Sequence, residues 1–456
     1  MTVEATAPVA ALAAALPAGV VLTDPDGLDA YRWDRAQDPN AQRPLAVVRA
    51  ECTQHVQEAL RWAGAHRVPV VPRGAGTSLS GGSSGIADGI VISTERMRRI
   101  VVDRATRVAV TQPGLLNAEV KRAAAAEGLW YPPDPSSTEI CSIGGNIATN
   151  AGGLCCVKYG VTTDYVLGLE VVLADGRAVR LGGPRLKDVA GLSLTKLFVG
   201  SEGTLGVITE VTLRLLPAAP AAHTLVTWFA ATEDAVRAVL DITARTRPSM
   251  LEYMDRTTVN AVEDAVHMGL DRSCAAMLMA RTDTGNPADL DAIRDACREN
   301  GAVEIHATAD EAEGEQFLHA RRVAITALEA RGRLLLEDVG VPLPRLPELV
   351  TGIERIAADR GVTIALVAHA GDGNTHPLIV FDPMQADQTL QAERAFGEIM
   401  ELAIGLDGTI TGEHGVGRLK RPWLESQVGP DVLEISQRIK QALDPLGILN
   451  PGVIFA

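Results

Sequence analysis

The stretch Val68 to Gly82, VPVVPRGAGTSLSGG, constrains this chain most. It reads as a short buried strand, Val68 to Val71, running into a loop of small residues in which only Leu79 is large. Glycines let successive backbone N–H groups turn toward one point. Thr77, Ser78 and Ser80 add hydroxyls, and the whole suits a doubly charged pyrophosphate. Spacing excludes two common phosphate loops. Gly74 and Gly76 open a G-x-G-x-x-G, but Leu79 stands at the third glycine position; Gly76 to Gly81 has the Walker A interval, but Gly82 stands where the lysine belongs. The apolar strand before the loop and Arg73 at its mouth separate it from a flexible surface turn.

A chain of 456 residues should hold two or three domains. With 46% hydrophobic residues and few aromatics, its cores should be large and aliphatic. The balance of 42 basic against 57 acidic residues, a net −15, argues against nucleic acid and anionic membrane as partners. An anionic substrate would need a local basic pocket. None of the six cysteines forms a C-x-x-C, which argues against an iron–sulfur or zinc-ribbon site. Adjacent Cys155 and Cys156 read as buried thiols. Val9 to Val21 is apolar, but it lacks a basic flank, contains Pro17 and is too short to span a bilayer. It reads as an amphipathic helix of a cytoplasmic protein with no transmembrane segment.

Pro44 to Val101 reads as βαβ. Leu45 to Val48 is a strand, then Val56, Ala59, Leu60 and Ala63 recur at helical spacing behind a Thr53 cap, and Ile90 to Ile92 follows the glycine loop as a strand. Tyr131 to Gly153, YPPDPSSTEICSIGGNIATNAGG, is stiffened by prolines, while Gly144, Gly145, Gly152 and Gly153 allow a ligand close to the backbone. Asp175-Gly176 marks a hairpin turn. Val199 to Glu210, VGSEGTLGVITE, is a third small-residue loop leading into a strand. Pro217 to Pro220 reads as a domain boundary. Beyond it, alternating strands and helices predict an antiparallel sheet with helices on one face.

The chemistry concentrates near the end of the chain. The strand Thr363 to Ala368 leads into His369-Ala-Gly-Asp-Gly-Asn-Thr-His376, and Leu378 to Phe381 is the next strand. A glycine-rich connection can bring both histidines to one ion. Glu413 and His414 lie between glycines in GTITGEHGVGRLK, Gly408 to Lys420. Two imidazoles and a carboxylate suit a divalent transition metal with open positions. Spacing alone also allows a hydrogen-bonded pair of structural histidines. In a regular strand Glu413 and His414 would point to opposite faces, so a shared pocket requires the glycines to break the strand. One of the two could then bind metal while the other faces substrate, and a free histidine there is a natural general base.

With these motifs in view, the chain resembles the flavin-linked D-2-hydroxy acid dehydrogenases of the vanillyl-alcohol-oxidase-like superfamily. They include D-lactate dehydrogenases, the flavin subunit of glycolate oxidase and D-2-hydroxyglutarate dehydrogenase. The resemblance runs from about Pro44 to LNPGVIF at Leu449 to Phe455, on PRGAGTSLSGG, CSIGGNIATNAGG, GSEGTLGVIT, HAGDGNTH and GEHGVGRLK. It implies an α+β fold: a two-part FAD-binding domain of the vanillyl-alcohol-oxidase type and an α+β cap with an antiparallel sheet, with C-terminal helices returning to the FAD domain. The implied division is an N-terminal helical segment 1–42, the FAD domain 43–217, the cap 218–418 and a C-terminal segment 419–456.

The resemblance also assigns residues. FAD would meet Arg73, Gly74, Ala75, Gly76, Thr77, Ser78 and Gly81, then Pro133, Asp134, Ser142, Gly144, Gly145, Asn146, Thr149, Asn150, Gly152 and Gly153, then Gly203, Gly206, Val207 and Ile208. No histidine lies between Arg73 and Gly82, so noncovalent FAD is implied. A divalent metal, zinc or manganese, would fall on His369, His376 and Glu413, with His414 as base. Arg321, or its neighbour Arg322, would meet the substrate carboxylate, and Asn374 would also touch substrate. Hydroxyglutarate-type enzymes carry a lysine where Leu336 falls, which argues against a dicarboxylic substrate. The implied partners are a small 2-hydroxy acid such as D-lactate or glycolate and an external acceptor: a quinone, cytochrome, electron-transfer protein or iron–sulfur subunit. The acceptor could hold the protein at the inner face of the membrane, and a homodimer is compatible. Two rivals share the motifs: a flavin-carrying subunit inactive outside a larger electron-transfer complex, and an ether-forming flavin transferase without net redox turnover.

Overall fold

The computed structural model describes residues 3–218 and 221–455, so Ala219 and Pro220 of the expected boundary lie outside the described residues. The chain forms two compact units: Met1–Ala151 with Val161–Ala218 and Glu413–Ala456, and Gly152–Gly160 with Ala219–Gly412. Among the described residues no helix is long and apolar enough to cross a membrane.

The first unit contains a small sheet in the order Val21–Leu22, Ala46–Arg49, Ile90–Ser93, Val70–Arg73. Ala46–Arg49 and Val70–Arg73 both run parallel to Ile90–Ser93. Their side chains are almost wholly buried, as a sheet covered on both faces requires. The crossover helix Thr53–His66 buries Val56, Ala59, Leu60 and Ala63, the residues whose spacing predicts it. Its cap differs from expectation. Cys52 occupies the N-cap, and the Thr53 hydroxyl instead donates to Glu170 Oε1 at 2.5 Å.

A second sheet of five antiparallel strands follows the order Ile100–Asp103, Val108–Thr111, Val207–Arg214, Val166–Val172, Ala178–Gly182. The Asp175-Gly176 turn closes its last hairpin, with Leu173 N–H donating to Arg177 O at 2.9 Å.

The N-terminal segment is only partly helical, with helices at Val3–Ala15 and Pro25–Asp29. Irregular chain then wraps the glycine loop: Arg35 N–H donates to Gly76 O at 3.1 Å and Ala36 N–H to Ser78 O at 3.0 Å.

The second unit is built on a sheet in the order Ala302–Thr308, His223–Phe229, Ala276–Thr282, Met250–Asp255, Thr363–His369, Asn374–Phe381, Arg333–Leu336, with every neighbouring pair antiparallel. Val339–Gly340 also pairs with Asn374–Phe381. The helices are not confined to one face. Met250 and Met254 share a core with Val259 and Val262 of the helix Arg256–Val266, and with Leu318 and Ala324 of the helix Glu311–Glu329. Tyr253 points the other way, toward Thr232 and Glu354 on the helices Thr232–Arg245 and Leu346–Arg360. The reason is burial: the strand Met250–Asp255 is buried on both sides, so both sides need a cover.

Two segments lie on the other side of the expected boundaries. Gly152–Gly160 belongs to the second unit, where Lys158 and Tyr159 both bond Asp283 and Arg247 donates to Lys158 O at 2.6 Å. The chain from Glu413 onward belongs to the first unit. There Val416 and Gly417 N–H groups donate to the two oxygens of Glu202, each at 2.8 Å. A Cβ on Gly415 would lie 2.9 Å from the Glu202 carboxyl carbon, so only glycine fits above it. The extreme C-terminal chain extends the first sheet: Val70 N–H donates to Ile448 O at 2.8 Å, and Asn450 N–H to Val70 O at 2.7 Å.

Burial pushes the Glu202 carboxyl up to about 7, against the opposing pull of the two N–H groups and Lys420. The folded value thus exceeds the ordinary 4.5, and the group's contribution to stability is complete below that pH and lost as pH rises through about 7. The stability of the wild type relative to Glu202→Gln should therefore fall across this window, by at most about 1.4 kcal/mol per pH unit. Thermal unfolding of both proteins at pH 5, 6, 7 and 8 measures it; a constant difference would contradict the raised value.

Candidate active site

The first unit builds a cradle from three loops. The glycine loop leaves the strand Val70–Arg73, and Gly76 takes φ +73° with no room for a side chain: a Cβ would lie 2.2 Å from Arg73 Nη2. Arg73 itself turns inward, donating to Ser83 O at 2.9 Å and Trp33 O at 3.0 Å. Burial lowers its pKa, while Asp34 counters that pull. Arg73 therefore braces the loop from behind and does not stand at its mouth. The N–H groups of Gly76, Thr77 and Ser78 find no acceptor among the described residues. These bare donors, in a loop too narrow for side chains, are the feature that fits an anion.

The second loop enters the helix Ile143–Thr149, capped by Ser142. The Ser142 hydroxyl accepts from Gly145 N–H at 3.3 Å and from Ala75 N–H at 3.2 Å, which ties it to the glycine loop. A Cβ on Gly74 would lie 2.2 Å from that same hydroxyl. The third loop is stitched to the second by Gly200 N–H on Ile147 O at 2.9 Å and Glu202 N–H on Ala148 O at 2.8 Å. Several residues expected at the cofactor also take part in this frame. Asp134 pairs with Lys121 at 2.7 Å, and Asn150 accepts from Thr163 N–H at 2.9 Å. Gly144 packs on Pro113, Gly203 on Pro72 and Gly206 on Val171. Gly152 and Gly153 lie in the second unit.

The second unit brings His369 and His376 together. The hairpin pairs His369 with Asn374 and Val367 with His376, so the histidines are diagonal neighbours on one face. Their ring centroids lie 5.2 Å apart, nearly perpendicular, and they offer nitrogens within 4.8 Å of each other. Gly373, at φ +82°, makes the turn possible; a Cβ there would lie 2.3 Å from Val341 O.

Two acidic residues lie beside these histidines and a third stands behind the glycine loop, and none of the three belongs to a sequence motif. Glu252 is fully buried; its Oε1 lies 2.7 Å from His369 Nδ1, and its Oε2 accepts from Arg321 Nε at 2.7 Å. Asp338 Oδ1 lies 3.7 Å from His376 Nδ1, and its other oxygen accepts from Thr411 Oγ1 at 2.7 Å. In the first unit Asp34 accepts from Ser83 N–H at 3.1 Å behind the glycine loop. The available signal was a carboxylate inside an apolar run, as in MLEYM and LLLEDVGV, because a buried charge must be paired.

The two neighbouring arginines differ in burial. Arg321 is 1% exposed, with Nη2 buried and unbonded among the described residues. Arg322 is half-buried and bonds Glu315 at 3.2 Å. Asn374 packs against Gly412, where a Cβ would lie 2.5 Å from the amide carbon. Glu413 is the next residue in the chain. It and His414 lie outside regular structure in the first unit, with Glu413 Oε1 3.8 Å from His414 Nε2. The glycines thus break the strand, and both side chains share one side.

Removing one partner of a buried ion pair leaves the other charge stranded. Glu252→Gln should destabilise the protein by about 3–5 kcal/mol, and Glu252→Gln with Arg321→Met should recover part of the loss. Denaturant unfolding of the two variants measures this; a neutral single variant would show that the pair is not needed.

Comparison with known proteins fits this geometry. The family pattern described as "FAD binding domain" matches residues 44–182, and "FAD linked oxidases, C-terminal domain" matches residues 219–454. The chain is 42% identical over 432 residues to the "Glycolate oxidase subunit GlcD" of Bacillus subtilis (strain 168), covering 93% of this chain and 92% of the relative. It is 35% identical over 431 residues to a "D-lactate dehydrogenase" of Archaeoglobus fulgidus, covering 93% and 95%. Its fold is similar to that of a p-cresol methylhydroxylase crystallised with bound substrate, with a TM-score of 0.81 over 99% of this chain and 97% of that one at 17% identity. That is the vanillyl-alcohol-oxidase-type architecture expected from the sequence. With an FAD-binding domain followed by the family's own C-terminal domain, the chain belongs to the FAD-linked oxidases and is an FAD-linked oxidoreductase.

Proposed function

We propose that the protein oxidises a small D-2-hydroxy acid, of the size of D-lactate or glycolate, to the 2-oxo acid. The observation that carries this reading is Arg321. A buried guanidinium with one edge on Glu252 and Nη2 unbonded is a receptor for a carboxylate, on the helix that covers the His369–His376 face. The names of the relatives point to the same substrate class. Leu336, paired with Leu378 at the edge of the same sheet, offers no cation to a second carboxylate and favours a monocarboxylic acid.

Each residue then has a task. Arg321 holds the substrate carboxylate, and the Asn374 amide adds a hydrogen bond. His414 accepts the proton of the substrate hydroxyl. Glu252 fixes His369 Nδ1 and leaves Nε2 as its ligating atom, the usual support for a metal-binding imidazole. His369 and His376, with Glu413 following Gly412 in the chain, would hold a divalent cation, zinc or manganese. Such a cation, when bound, polarises the hydroxyl and lowers its pKa. The three-loop frame would hold FAD noncovalently, and bound FAD would supply the two-electron acceptor for the hydride leaving substrate C2, with an external acceptor taking the electrons onward. The word "subunit" in the Bacillus relative's name favours a second reading, in which that acceptor is a partner subunit. Turnover of the purified chain with an artificial acceptor decides between them.

Gly76→Val should give FAD-free protein, because even a Cβ meets Arg73. Flavin absorbance of the purified variant measures it, and a yellow protein with full flavin content would reject the loop assignment.

His414→Ala should keep flavin and metal yet lose about 10²- to 10⁴-fold in the rate of anaerobic flavin reduction by D-lactate or glycolate. Glu413→Ala and His369→Ala should instead lose metal and keep FAD. Metal analysis alongside the reduction rate measures all three; metal lost from His414→Ala but retained in Glu413→Ala would reverse the two roles.

A further inference from the structure

The turn carrying His414 has no secondary structure to hold it, yet it is fixed from two sides within the first unit. On one side stands Ser80 of the glycine loop. Its hydroxyl donates to His414 O at 3.2 Å, and its carbonyl accepts from Arg418 N–H at 2.9 Å and Leu419 N–H at 3.2 Å. Gly417, at φ +55°, lies so close that a Cβ would be 1.9 Å from Ser80 O.

On the other side stands Glu202. Its own backbone is left-handed, at φ +50°, a strained conformation for glutamate. That strain is held by bonds in both directions. Its N–H donates to Ala148 O, and its O accepts from Asn450 Nδ2 at 2.7 Å, while the same Asn450 amide donates to Gly82 O at 2.9 Å. The carboxylate that results meets Val416 and Gly417 N–H groups, one per oxygen. An ionised carboxylate matches two adjacent donors. A glutamine amide has one acceptor and would turn its NH₂ against the second N–H.

We propose that Glu202 is a positioning residue, which fastens the His414 turn to the flavin-binding frame so that cofactor and base are held in one alignment. The inference rests on the reading of His414 as the base. A misplacement of about 1 Å at a reacting group can cost about 10²-fold in rate.

The test is a double-mutant cycle at pH 8, where the carboxylate is ionised. Glu202→Gln should bind FAD in full and reduce it about 10²-fold more slowly than wild type. Placed in a His414→Ala background, the same change should cost nothing further, because the group it positions is gone. An equal fractional loss in both backgrounds, full activity in Glu202→Gln, or loss of FAD from it would overturn the inference. Ser80→Ala removes only the hydroxyl on His414 O. It should show the same dependence on background at smaller size, and it decides the question if Glu202→Gln does not fold. A fully active His414→Ala would instead end the reading of the base. A fully active Glu202→Gln beside an impaired His414→Ala would end this inference alone.

Discussion

Glu252 is the point on which the second unit depends. A carboxylate without access to water is unstable unless each oxygen has a strong partner. Here one oxygen takes the Arg321 guanidinium and the other the His369 ring. The arrangement locks a cation and an imidazole at a fixed separation without help from solvent. It also explains why the sheet can carry polar residues on a face otherwise filled by Met250, Met254, Met277 and Met279. An apolar wall makes each of these charges strong, and their pairing makes the wall possible.

The first unit solves a different problem with different atoms. Its task is to present donors to an anion, and it does so with backbone N–H groups. Side chains that look like ligands in the sequence are mostly occupied: Arg73 with Ser83 and Trp33, Ser142 with Ala75 and Gly145, Asn150 with Thr163. They tie the loops together, so the backbone donors stay aimed at one point. Chain that carries no sequence motif, from Trp33 to Asp38, belongs to the same frame.

Much of this was legible in the sequence. Periodicity located the crossover helix through Val56, Ala59, Leu60 and Ala63, and Asp175-Gly176 located its hairpin, because both signals are local. The glycines of HAGDGNTH signalled that two histidines return to each other, since only a tight turn needs Gly373. What escaped was set by distance along the chain. The strand Met250–Asp255 has no alternation because it is covered on both faces, and Glu252 inside it looks like an interruption until Arg321 and His369 are seen beside it. The helices expected on one face occupy two for the same reason. In the sequence Glu202 looks like part of a glycine-rich motif; its partners at Val416 and Gly417 lie more than two hundred positions away.

That distance has a consequence for how the protein is made. The second unit is nearly continuous, whereas the first is assembled from three separate pieces of chain. The strand beginning at Val70 gains its outer neighbour only when Leu449 arrives, and the Gly82 and Glu202 carbonyls receive the Asn450 amide only then. On the ribosome, the second unit can therefore close while the first is still missing an edge. Contacts spanning almost the whole chain form slowly. Until Leu449 and Asn450 join it, the strand beginning at Val70 presents a sheet edge that can pair with the wrong neighbour.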